Sequence, residues 1–442
     1  MTRGIVVMVL VLAAPLAQAQ LGLPLRLPGL PTGGLAGLID RTLPAPEDAN
    51  DPTLLRDARR QRIAALLRRY PRLIERDPNG APILASELLA FSPSDAVLAR
   101  ARAAGFGVLR ERALAPLGAR IVVLAAPART STRRALQELR AFDPSGTYDF
   151  NHLYFDSGTA LAAPTPGREP GGTPIAPSQP ALRAAASSAV AKLGLIDGGV
   201  DAHHPVFQGI AVKQYGCGGS LVPSAHGTEV ASLMVGRAGG FRGAAPGADL
   251  YAADVYCGQP TGGAVDAIAD AFAWLVSERV PVINVSLVGP PNALLERIVR
   301  AVIDGGSLIV AAVGNDGPAA PPLYPAAYPG VIGVTGVDAH RRALFEAERG
   351  PQVRFAAPGA DMAAATMPAG YTTVRGTSFA APIVAGLLGS ELTAPDRVRA
   401  QRAIAELAQR AVHLGAPGAN SVYGYGLVGA DLRPAPALAS AR

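Results

Sequence analysis

From residue 190 onward the chain alternates short apolar runs with longer runs of small and amphipathic residues. AKLGLID, ADLYAADVY, VPVINVSL, SLIVAAVG, GVIGVTGVD and VRFAAPG are apolar at successive positions, as strands covered on both faces are. Between them, HGTEVASLMVG, AVDAIADAFAWLVSE and NALLERIVRAVIDGG place apolar residues at helical spacing. Strands of this kind, each followed by a helix, predict an α/β domain over residues 190–430 with a doubly wound, mostly parallel sheet.

Residues 82–155 carry a different pattern. PILASELLAF, GFGVLRER, ARIVVLAAP and TYDFNHLYF are strand-like, and Ser92-Pro93-Ser94-Asp95 and Ser131 open two helical stretches. The order β-α-β-β-α-β predicts a small α+β domain of the split β-α-β type. Before it, residues 20–81 read as a leader rich in Pro, Gly and Leu that ends in a basic helical stretch over 52–77. After it, residues 156–189 are dense in Pro and Gly and predict a linker. Residues 431–442 form a C-terminal tail. At the start, Arg3, the apolar run Ile5 to Ala14 and Ala17-Gln18-Ala19 fit a signal peptide over residues 1–19, and hence a secreted or periplasmic product.

Composition narrows the partners. The chain has 442 residues, of which 49% are apolar and 17% charged, enough for sizeable cores in two or three units. Its net charge of +6 falls entirely before residue 181, and no basic cluster has motif support, so nucleic acid is not an expected partner. No apolar run after the signal is long enough to span a bilayer. Cys217 and Cys257 are the only cysteines, and in an exported chain they form either one disulfide or two buried thiols.

Chemistry in a doubly wound sheet gathers at the C-terminal ends of strands and at the helix N-termini that follow. Four polar clusters fall at such places. Asp197 ends KLGLID, His226 begins His226-Gly227-Thr228, Asn315 lies in Gly314-Asn315-Asp316-Gly317, and Ser378 lies in Gly376-Thr377-Ser378-Phe379-Ala380-Ala381-Pro382. In chain order these are Asp, His, Asn and Ser. With these four motifs, residues 190–430 resemble the subtilisin-like serine proteases of the peptidase S8 family.

The resemblance implies a serine endopeptidase that works without a cofactor on proteins or peptides. Ser378 would be the nucleophile, His226 its general base, and Asp197 the carboxylate that fixes the imidazole. Asn315 and the Ser378 N–H would form the oxyanion hole. Ser286, Leu287, Val288 and Gly289 match the strand that pairs with substrate. Relatives usually carry Gly where Val288 stands, and a β-branched side chain there predicts a preference for small residues before the scissile bond. Glu229 and Phe379 also depart from the usual His and Met. The stretch 235–243 offers no oxygen-rich calcium loop, and Asp201, His203 and His204 match no zinc spacing, so no metal site is expected. Residues 82–155 resemble the family's prosegment by element order, which implies an intramolecular inhibitor removed by self-cleavage in the linker. The alternative reading is a catalytically silent subtilisin-fold binding or regulatory protein.

Overall fold

The computed structural model describes residues 52–157 and 190–439. The expected signal peptide and most of the expected linker lie outside these residues. The described residues all fall within one compact unit.

In chain order, helix α1 (Pro52–Arg69) precedes strands β1 (Ile74–Arg76) and β2 (Pro82–Phe91), helix α2 (Asp95–Ala103), β3 (Gly107–Leu114), β4 (Ala119–Ala125), α3 (Thr132–Phe142) and β5 (Thr147–Asp156). After the linker come β6 (Lys192–Asp197), β7 (Val212–Gly216), α4 (Ala225–Val235), the short strands β8 (Arg237–Ala238) and β9 (Phe241–Arg242), and β10 (Asp249–Asp254). Next are β11 (Gly263–Ala264), α5 (Val265–Ser277), β12 (Val282–Val285), β13 (Leu287–Val288), α6 (Ala293–Asp304) and β14 (Leu308–Ala312). The chain continues through β15 (Ile332–Val337), β16 (Val353–Pro358), β17 (Met362–Ala365), β18 (Tyr371–Val374), α7 (Thr377–Gly389) and α8 (Arg397–Arg410).

The second domain is built on a seven-stranded sheet in the order β16-β15-β14-β12-β6-β10-β7, and every pairing in it is parallel. Alternation along β6 sorts its side chains between two layers. Leu193 and Leu195 pack with Val230 and Met234 of α4 and with Phe379, Ile383 and Val384 of α7. Ile196 points the other way, to Phe272 and Leu275 of α5 and Ile298 of α6. Helix α7 is buried along nearly its whole length, so it is apolar all round rather than amphipathic.

In the first domain, β2, β3, β4 and β5 pair antiparallel in the order β5-β2-β4-β3. Period-two alternation again divides the layers. Leu88, Ala90, Val122 and Leu124 face Leu98 of α2 and Leu136 and Leu139 of α3. Leu89, Ile121 and Val123 face away and join the core beneath α5 and α6. One face of this small sheet is therefore closed by its own helices and the other by the second domain. Ser94 and Ser131 cap the two helices, accepting from Val97 and Arg134 N–H groups.

Charge pins the same interface. The Arg110 guanidinium donates to both oxygens of Glu87 (2.9 and 2.7 Å) and to Asp266 (2.7 Å) at the start of α5. Asn151 donates to Glu87 and Asp266 at 2.8 and 2.9 Å. Asp266 is almost wholly buried, and burial works to raise its pKa, but the Arg110 bonds and charge prevail and lower it.

Three boundaries differ from the sequence reading. The N-terminal sheet begins at β1 rather than at residue 82, because Ile74 is buried and pairs with Leu84. The expected linker starts later than residue 156, since Asp156 ends β5 and Ser157 is hydrogen-bonded to Ser286. The tail is docked through residue 439: Arg433 donates to the Ala360, Val337 and Asp338 carbonyls, and Leu438 packs on the core.

Candidate active site

Asp197 ends β6, at the C-terminal edge of the parallel sheet. His226 is the second residue of α4, whose first turn is capped by Ser224 accepting from the Gly227 N–H at 3.0 Å. Gly227 lets this turn approach the strand end, since a Cβ there would stand 2.4 Å from the Gly198 carbonyl oxygen. Ser378 opens α7 after Gly376, whose φ of 138° suits only glycine.

These local structures bring three distant side chains into one row. His226 Nδ1 donates to Asp197 Oδ1 at 2.9 Å, and Ser378 Oγ lies 3.1 Å from His226 Nε2. Asp197 Oδ1 also accepts from the Gly198 N–H at 2.6 Å, which fixes the carboxylate. Burial works to lower the His226 pKa, but the charge and hydrogen bond of Asp197, with the charges of Asp156 and Glu229, raise it to about 9. An imidazole held in this way can take the proton of the hydroxyl it faces.

Asn315 stands beside the row. Its Oδ1 accepts from the Thr377 N–H at 3.1 Å, and Thr377 Oγ1 accepts from the Gly314 N–H at 3.2 Å. Because this lock engages Oδ1, the donor that Asn315 has to offer is its Nδ2. The N-terminus of α7 adds the Ser378 N–H and the positive end of its dipole, while the Gly376, Thr377 and Phe379 N–H groups bond Gly359, Asn315 and Gly376 oxygens.

Ser286 has a second task that sequence reasoning missed. Pro382 lies four residues after Ser378 inside α7 and has no N–H to donate to the Ser378 carbonyl. Ser286 Oγ supplies that bond at 3.1 Å, and Asn284 Nδ2 in turn donates to Ser286 Oγ at 2.8 Å. The proline in Ala380-Ala381-Pro382 was the signal for a missing partner.

Strand β5 runs between β11 and β13. Leu287 and Val288 pair antiparallel with Asp156 and Phe155, while Gly263 and Ala264 pair with Tyr154 and Leu153 on the opposite edge. Ser157 continues the ladder, with its N–H donating to the Ser286 carbonyl at 3.3 Å. The Tyr154 ring is fully buried against the Gly289 backbone, and its hydroxyl donates to the Pro290 carbonyl at 2.5 Å. Helix α1 closes over this strand. Leu66 packs with Leu153 and Phe155, Arg62 lies over the Phe155 ring and 3.5 Å from Asp156, and Arg59 reaches Asp316 at 3.1 Å.

The other candidate residues have structural roles. His204 is buried with both ring nitrogens engaged, Nδ1 by the Val206 N–H and Nε2 with the Gly370 carbonyl at 3.1 Å each. Asp201 accepts from the His203 N–H at 3.1 Å. Phe379 sits 5.4 Å from the His226 ring, centroid to centroid. Cys217 and Cys257 are joined in a disulfide beside Asp254, so their sulfurs are engaged with each other rather than offered as thiolate ligands. The bond ties residues 40 apart in sequence and anchors the loops at the ends of β7 and β10. Replacing both cysteines by serine is expected to remove about 3–4 kcal/mol of stability on a chain-entropy basis, measured by denaturant unfolding. An unchanged unfolding midpoint would contradict this.

A sequence model described as the subtilase family matches residues 189–426. The chain is similar to subtilisin E of Bacillus subtilis strain 168, 34% identical over 212 residues that cover 44% of this chain and 53% of that one. It is similar to subtilisin DY of Bacillus licheniformis, 30% identical over 248 residues that cover 54% of this chain and 89% of that one. It thus spans about half the length of subtilisin E. Fervidolysin from Fervidobacterium pennivorans, a solved keratinolytic enzyme related to subtilisin, shares the fold with a TM-score of 0.62 and 20% identity, covering 79% of this chain and 61% of that one.

Proposed function

The chain belongs to the subtilase family, and from that premise we propose that it is an exported serine endopeptidase, made as a precursor that its own N-terminal domain inhibits. In this reading Ser378 attacks the carbonyl carbon of a peptide bond while His226 takes the hydroxyl proton. The developing oxyanion is received by Asn315 Nδ2 and the Ser378 N–H. His226 returns the proton to the leaving amine, an acyl group stays on Ser378, and water removes it by the same steps in reverse order. Asp197 holds the imidazole in the required tautomer and stabilises its cation. Proteins and peptides are the substrates, and no cofactor takes part.

The observation that carries the inhibitory part is the seating of residues 153–157. They lie as a strand between β11 and β13, and Ser157 is bonded to the residue whose hydroxyl holds the Ser378 carbonyl. This is how the acyl half of a substrate would lie, so the bond that follows, Ser157–Gly158, is the proposed processing site. Export is supported by the apolar run after Arg3 and by the disulfide, which suits an oxidising compartment.

Mass spectrometry of the secreted protein tests the reading. It predicts a mature N-terminus at Gly158 in the parent chain and none in Ser378→Ala produced in a protease-free host. The same shortened product from both chains would refute self-processing.

The His226 environment gives a pH prediction. The base must be neutral to accept a proton, so its raised pKa makes kcat/KM climb from neutral towards alkaline pH. Glu229 lies one turn further along α4 and its charge favours the imidazolium. Glu229→Gln should therefore move the acid limb of the profile to lower pH. A limb that stays in place would show that the Glu229 charge does not reach the base.

A further inference from the structure

We propose that Asp316 and Glu348 make the recess beside Asn315 a receptor for a basic side chain, so that the enzyme cuts its substrates after arginine or lysine. This deepens the proteolytic reading and rests on it. Strands β12 and β14 are neighbours, with Val285 paired to Ala311, and beyond their ends the chain continues as residues 286–288 and 313–316. Ser157 is held on the first of these segments, and Asn315 lies on the second. A longer side chain in place of Ser157 would descend between them, towards Gly314 and Asp316.

Gly314 has no side chain to block that path, and behind it stands an acid. A Cβ on Gly314 would meet Glu348 Oε1 at 2.7 Å and Leu323 Cδ1 at 2.9 Å. Glu348 is fully buried. Its Oε2 accepts from the Leu323 N–H at 3.1 Å, and its own N–H donates to the Gly314 carbonyl at 3.2 Å. Its Oε1 is buried and accepts no hydrogen bond among the described residues. Glu346, two residues earlier and also buried, is paired with Arg375 at 2.8 Å. An unpartnered buried carboxyl oxygen is costly, and a cation placed beside it offsets the penalty.

The precursor itself supplies a cation there. Arg59 reaches in from α1 and bonds Asp316 at 3.1 Å, with the side chains only 21% and 18% exposed. Ser157 is short and leaves the space to this guanidinium. Burial and the charge of Asp316 push the Glu348 carboxyl up to about 9, while Arg59 pulls it down, so the two acids and Arg59 sense one another. Val288 bears on a different position. The ladder sets it opposite Phe155, two residues upstream of Ser157.

The test is a set of internally quenched peptides that differ only in the residue before the bond, cut by the processed enzyme. Arginine and lysine peptides should be cleaved with kcat/KM at least about tenfold above alanine, serine or phenylalanine peptides, the size of one hydrogen bond to a charged group. Asp316→Asn should reduce that ratio, and Asp316→Asn combined with Glu348→Gln should bring it close to one. A parent enzyme that prefers small or aromatic residues before the bond overturns the proposal. So does an unchanged ratio in the Asp316→Asn variant, whose amide keeps the shape of the carboxylate it replaces. Labelling of Ser378 by a fluorophosphonate separates the two levels: a labelled enzyme without basic preference sinks this proposal alone, whereas no labelling and no cleavage of any peptide removes the proteolytic reading with it.

Discussion

Replacing Ser378 by alanine is expected to lower kcat by roughly six orders of magnitude, a size carried over from the equivalent change in a subtilisin, and to leave the chain unprocessed. The substitution removes one oxygen from a row in which His226 Nε2 lies 3.1 Å from Ser378 Oγ and Nδ1 lies 2.9 Å from Asp197 Oδ1. Without the hydroxyl no acyl group can form, and the imidazole has nothing to deprotonate but water. Because the three groups act as a unit, His226→Ala should lose nearly as much, and the double variant little more. Substrate binding should change far less, since the ladder along residues 286–288 is made by backbone groups. Steady-state kinetics on a peptide cleaved by the parent decides this, and a loss below about a hundredfold would mean that another group is the nucleophile.

Asn315→Ala is expected to cost about 10²–10³ in kcat, or about 2.7–4 kcal/mol of transition-state stabilisation, again a magnitude known from a subtilisin. The reason is positional. The Thr377 N–H holds Asn315 Oδ1 at 3.1 Å, so the amide is fixed before the reaction begins and its Nδ2 need not reorganise when charge appears. The ground-state carbonyl carries less charge than the oxyanion, so KM should move little while kcat falls. An Asn315→Ala enzyme with parental kcat and raised KM would assign the residue to substrate binding instead. Asn315→Asp provides a further check, because it keeps the shape but replaces the donor by an acceptor.

Much of this site was legible because its residues answer to local rules. Asp197 follows an apolar run, His226 and Ser378 sit in the first turns of helices, Gly376 has a φ of 138°, and Gly227 occupies a position that a Cβ would disturb. Such constraints are written within a few residues of one another. The parallel sheet was legible for the same reason, since strands such as Leu308–Ala312 are apolar at every position. Long-range pairing was not. Nothing near Phe155 says that it will pair with Val288, and nothing near Arg59 says that it will reach Asp316. Glu348 reads locally as one more charge in Glu346-Ala347-Glu348-Arg349, and only the fold shows that one glutamate is paired and the other carries an unpartnered oxygen. The start of the N-terminal sheet was also missed, because β1 has only three residues and is recognisable by its pairing with β2 rather than by any period of its own.

The central claim is that Asp197 and His226 together make Ser378 a nucleophile, beside the Asn315 amide that receives the oxyanion. Treating the processed enzyme with a fluorophosphonate and mapping the adduct by mass spectrometry tests it most directly. The account predicts a single phosphonylated residue, Ser378, formed in the parent and abolished by His226→Ala. An unlabelled Ser378 in folded, processed protein, or labelling that persists at the same rate without His226, would contradict it.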